Sequence, residues 1–81
     1  MKFNILISET ARKQLYDLDV KTRENIKNSI KELEENPFSS RPKADIKKLK
    51  GSKNPELYRL RIGNHRVIYC IIEKEVKVTK I

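Results

Sequence analysis

Gly63-Asn64 constrains this chain more than any other pair of residues in it. The pair stands between two stretches of alternating side chains, Leu57 to Ile62 and His65 to Ile72, as expected of two antiparallel strands joined by a two-residue loop. Glycine at the first turn position suits a type II′ turn, where that residue needs a positive φ. Such a short loop leaves one register. It sets Ile62 against His65, Arg61 against Arg66, Leu60 against Val67, Arg59 against Ile68 and Tyr58 against Tyr69.

The register sorts the side chains onto two faces, because successive residues of a strand point to opposite sides. Tyr58, Leu60, Val67, Tyr69 and Ile71 form an apolar layer, while Arg59, Arg61 and Arg66 gather on the other face. Like charges directly across a strand pair are destabilising, so Arg61 opposite Arg66 predicts an anion between them. Arginine suits that task better than lysine, since its planar fork can hold phosphate through two parallel bonds. A turn at Glu73-Lys74 adds a third strand, Glu75 to Ile81. It sends Val76 and Val78 to the apolar layer and Lys77 and Thr79 to the arginine face.

Upstream, Phe3, Ile5 and Ile7 alternate with Lys2, Asn4 and Leu6 in a short strand. Ser8 then caps a helix to about Leu18, with Ala11, Leu15 and Leu18 on its inner side and Glu9 in its first turn. Asp19 caps a second helix whose stripe is Ile26, Ile30 and Leu33 and which ends at Asn36-Pro37. The two helices make a hairpin. From Phe38 to Pro55 turn residues dominate, and Ile46 and Leu49 tack a short turn onto the core while Lys47, Lys48 and Lys50 project outward.

At 81 residues the chain is expected to form one domain spanning 1–81. Its net charge of +8 is unevenly spread: residues 1–37 hold seven Lys/Arg and seven Asp/Glu, whereas residues 38–81 hold twelve against four. Between 41 and 66 only Asp45 and Glu56 oppose nine basic side chains. That asymmetry favours a polyanionic partner. Other chemistries find little support. With one His and one Cys no metal site is expected, and with Gly51 and Gly63 as the only glycines there is no phosphate loop, so no cofactor is expected either. Cys70 reads as a small buried apolar residue. His65, at the hairpin tip and off the arginine face, is a poor general base. No apolar run approaches the roughly 20 residues that cross a bilayer, so a cytoplasmic protein without membrane contact is expected.

The segments DIKKLKG (45–51) and LYRLRIGNHRVIYCI (57–71), set in the order strand, two helices, basic loop and three strands, resemble the RelE/ParE superfamily of type II toxin–antitoxin systems. The resemblance covers essentially the whole chain. It implies an α+β fold of order β-α-α-β-β-β, with the helical hairpin on one face of a small antiparallel sheet. It also implies a toxin that cuts mRNA in the ribosomal A site by 2′-OH attack on phosphate, held in a hetero-oligomer by a RelB-like antitoxin. By position Arg59, Arg61 and Arg66 match the basic residues that hold the scissile phosphate, with Arg66 stabilising charge on phosphorus. Lys47, Lys48, Lys50, Lys53 and Lys77 would grip neighbouring phosphates or ribosomal RNA. ParE members share the fold and poison DNA gyrase, which makes gyrase inhibition the alternative; a plain RNA-binding or ribosome-associated module is the other. Many RelE proteins carry a further Arg and Tyr past the last strand, where this sequence stops at Ile81. Tyr58 and Tyr69 face the core and do not replace them, so RNA gripping is the firmer expectation and cutting the weaker.

Overall fold

The computed structural model describes residues 2–51 and 55–81. Strand β1 (Asn4–Ile7) leads into helix α1 (Glu9–Tyr16), where the Ser8 hydroxyl accepts the amide of Ala11 and caps the first turn. Asp19 does the same for helix α2 (Val20–Lys31) by accepting from Thr22, and those bonds hold its carboxyl below the ordinary aspartate range. Arg23 closes the hairpin. Its guanidinium donates to the carbonyls of Tyr16 and Leu18 at 3.1 Å each and lies 5.0 Å from the Tyr16 ring centre, so the exposed carbonyls at the end of α1 find donors. A 3₁₀ turn at Glu32–Glu34 buries Leu33 before Pro37 diverts the chain.

Four strands follow: β2 (Asp45–Lys48), β3 (Leu57–Ile62), β4 (His65–Ile72) and β5 (Glu75–Lys80). The sheet order is β1-β5-β4-β3-β2. Two features correct the expected small antiparallel sheet. Residues 45–48 form a fourth strand of the meander rather than a turn, because Ile46 is buried and pairs with Leu60 while its neighbours point outward. The sheet is also mixed, since β1 lies parallel to β5 after the helical hairpin carries the chain across one face. The Gly63-Asn64 register is as read from the sequence, pair by pair, and Gly63 has φ +57° as a type II′ turn needs.

The helices cover one face only. Ala11, Leu15, Ile26, Ile30 and Leu33 pack on Leu60, Val67, Tyr69, Val76 and Val78, all nearly or fully buried. Tyr69 donates its hydroxyl to the Pro37 carbonyl at 2.7 Å and stacks on Tyr58 with centroids 5.6 Å apart. The loop that receives it is pinned by Arg41, which donates to the carbonyls of Asn36, Ser39 and Glu32 at 2.7–2.8 Å. Arg41 thus leaves the basic surface and becomes a loop clamp. Among the described residues no helix is long and apolar enough to cross a membrane.

Candidate phosphate-binding face

The other face of the sheet carries no helix. Because β3 and β4 meet around a two-residue turn, Arg61 lies directly opposite Arg66, and Arg59 follows two residues along on the same side. Arg66 and Arg61 are exposed, whereas the Arg59 side chain lies along the sheet at 14% exposure. Arg66 forms no side-chain ion pair among the described residues, so its guanidinium is available to a ligand.

The sequence predicts an anion between Arg61 and Arg66; the protein supplies a carboxylate of its own beside Arg61 and Arg59 instead. Asp45, opposite Arg61 in the β2–β3 register, has carboxylate oxygens 3.4 Å from Arg61 Nε and 3.5 Å from Arg59 Nη2. This residue was missed because 45–48 read as a turn. A three-residue alternation, Asp45, Ile46, Lys47, is too short a signal to have shown the strand in the sequence. Asp45 therefore offsets part of the like-charge repulsion, and the compensation is incomplete: one carboxylate meets Arg59 and Arg61 and leaves Arg66 unpaired among the described residues.

Lys47, Lys48, Leu49, Lys50, Arg59 and Arg66 line an open groove of about 380 Å³ beside the cluster. Lys47 pairs opposite Arg59 across β2 and β3. Lys48 is already engaged: its ammonium lies 2.8 Å from Glu56, and that hydrogen bond and charge raise its pKa above the ordinary lysine value. Both acids of the 41–66 stretch are thus spent on basic neighbours. Lys53 lies outside the described residues. Lys77 is on the arginine face, opposite Cys70, and so four residues along the sheet from Arg66. The structure does not bring it into the groove.

Cys70 is buried at 5% exposure even on this uncovered face, consistent with an apolar packing role. His65 pairs with Ile62 and lines one shallow cleft with Thr22, Asn25 and Ile26 on the helical side and a second with Arg66, Ile68 and Lys80, so it stands at the hairpin tip between the two faces. Tyr69 is remote from the arginine cluster, and burial first, then neighbouring Tyr58, pushes its pKa well above the ordinary tyrosine value. The face can therefore bind and orient an anion through guanidinium and ammonium groups.

A model of the ParE toxin family of type II toxin–antitoxin systems, parDE, matches residues 5–81. A curated protein of Methanocaldococcus jannaschii named "Putative toxin RelE1" is 43% identical over 72 residues, covering 89% of this chain and 77% of the relative. Among solved structures, the archaeal RelE–RelB complex from Pyrococcus horikoshii OT3 superposes with a TM-score of 0.82 at 32% identity, over 99% of this chain and 92% of that one. The RelB–RelE antitoxin–toxin complex from Methanococcus jannaschii gives 0.71, also at 32% identity, over 93% and 85%. An extended match to the family model, a close relative and a shared fold agree, and this chain belongs to the RelE/ParE family of type II toxin–antitoxin toxins, on its RelE side.

Proposed function

We propose that this toxin inhibits translation by cleaving mRNA in the ribosomal A site, and that a RelB-like antitoxin neutralises it in a hetero-oligomer. The observation that carries this reading is the bare sheet face on which Arg59, Arg61 and Arg66 converge beside a lysine-lined groove. A phosphodiester seated there would meet Arg66 first, since that guanidinium has no competing partner. In the cleavage step the ribose 2′-OH gives its proton to water and attacks phosphorus, the bond to the 5′-oxygen breaks, that oxygen takes up a proton from water, and a 2′,3′-cyclic phosphate remains. Charge grows on the non-bridging oxygens as the nucleophile adds, so donors already aimed at them lower the barrier. Arg66 supplies that stabilisation, Arg59 and Arg61 orient the phosphate, and Lys47 and Lys50 hold flanking phosphates on the groove wall. Lys48 contributes once its bond to Glu56 opens. The RelB partners named for two structural relatives support an antitoxin of that kind here.

Replacing Arg66 with Ala should abolish growth arrest in cells that express the toxin, while the purified variant melts like the parent. Full toxicity in that variant would exclude the site. Sequencing transcript 5′ ends after induction separates the mechanisms: cuts in register with codons support mRNA cleavage, whereas intact messages with broken DNA support the gyrase activity of ParE toxins. The ParE name of the matching family model is what keeps that second reading in view.

A further inference from the structure

Three arginines and one carboxylate share the outer face, and the carboxylate is loosely held. Asp45 reaches Arg61 at 3.4 Å and Arg59 at 3.5 Å, and its side chain is 49% exposed. Well-made guanidinium–carboxylate forks are shorter, near 2.7–2.9 Å. A tight pair on the same rim provides the contrast, since Lys48 and Glu56 approach to 2.8 Å.

Arg59 is also left in an unsatisfied state. Its Nε is buried without an acceptor while its Nη2 stretches toward Asp45. A buried N–H without a partner loses its water and gains nothing in return. A ligand with more acceptor oxygens than a carboxylate would hold this guanidinium better. Phosphate is such a ligand, with a similar charge, a tetrahedral spread of oxygens and a geometry that the arginine fork matches.

We propose that Asp45 is an internal stand-in for phosphate, which holds Arg59 and Arg61 together in the free toxin and yields them to a backbone phosphate of bound RNA. The proposal rests on the RNA reading of this face and assigns it an affinity-setting residue. Without Asp45, Arg61 and Arg66 would repel across the strands and Arg59 would have no charged neighbour of opposite sign. With it the cluster is assembled before RNA arrives, and every phosphate that enters must compete for two of its three arginines. Arg66, which Asp45 does not engage, makes the first contact.

The test is binding of a single-stranded oligonucleotide whose 2′-hydroxyls are absent, so that it cannot be cut, followed by fluorescence anisotropy against salt. Asp45→Asn keeps the shape and removes the charge. It should tighten binding by about three- to tenfold at low salt, the range expected when weak surface pairs to two arginines are released. It should also steepen the logarithmic salt dependence by about 0.7, the contribution of one more phosphate contact on a single strand.

Equal or weaker binding by Asp45→Asn, with Arg66→Ala still impaired, would overturn the stand-in and leave the RNA reading intact. A second measurement needs no RNA, and its first arm uses the parent protein alone. Inorganic phosphate titrated into the parent protein should shift the nitrogen-15 NMR signals of the Arg59 and Arg61 side chains, and Asp45→Asn should reach half-saturation at lower phosphate. Glu56→Gln, which frees Lys48 from a tight partner at the rim, should leave that arginine response unmoved. If no toxin variant binds the oligonucleotide, the RNA reading fails. Side-chain signals that phosphate does not move would then overturn the stand-in as well, and signals that shift would uphold the anion seat.

Discussion

Strand β4 shows two opposite uses of one backbone, three residues apart. Tyr69 faces the helices, is fully buried and spends its hydroxyl on the Pro37 carbonyl. Arg66 faces away from them, is exposed and has no side-chain partner among the described residues. The pleat puts the two on opposite sides, and everything else follows from what covers each side. On the covered side the apolar side chains are buried and the Tyr69 hydroxyl is paired. On the bare side charge is gathered and compensated only in part. Stability and function are therefore separable in this protein, face by face.

Truncating the covered face should give the largest effect. Leu60→Ala, at a site with no exposure, should cost about 2–5 kcal/mol in urea unfolding, the range for a buried leucine that leaves a cavity. A loss below about 1 kcal/mol would mean that the helical layer does not pack on β3 as described. Tyr69→Phe should follow at about 1–2 kcal/mol, since it leaves the Pro37 carbonyl without its buried donor.

The same residue sets an alkaline limit. Burial raises the Tyr69 pKa above its ordinary value of 10.0, so the folded state holds that proton more tightly than the unfolded chain does. Its contribution is complete below the ordinary value and is lost as pH rises toward the higher folded value. Tyr69→Phe should flatten the fall in stability above about pH 10, measured by denaturant titration at stepped pH.

Smaller effects belong to the turns and the bare face. Glu73 is the one described residue other than glycine with a positive φ, +56°, and Glu73→Gly should raise stability by about 1 kcal/mol by removing that strain. Arg66→Ala should stay within about 0.5 kcal/mol of the parent in stability while losing growth arrest. A large destabilisation by Arg66→Ala would break the separation of the two faces.

Much of this fold is legible in the sequence, and the reasons are local. A two-residue turn permits one register, so the pairs from Tyr58–Tyr69 to Ile62–His65 follow from the position of Gly63-Asn64 alone. Ser8 and Asp19 announce their helices because a side-chain oxygen at that position meets free amides. Strand β2 is not legible. Four residues are too few to show a period, and Asp45–Lys48 extends only because β3 offers a free edge far along the chain. Arg41 illustrates the same limit: as one of nine basic residues it looks like part of the patch, yet three carbonyls of a folded loop claim its guanidinium.

By itself the sequence determined the register of the hairpin, the helix caps, the excess of charge in the second half and the gathering of Arg59, Arg61 and Arg66 on one face. These follow from contacts between near neighbours, where turn chemistry and side-chain alternation act alone. Only the tertiary structure decided that β1 lies parallel to β5, that Glu56 engages Lys48 and that Asp45 stands among the arginines. Such partners are distant along the chain or lie across a strand that exists only once its neighbour does. Pairwise electrostatics depends on separations of a few ångströms that composition does not contain.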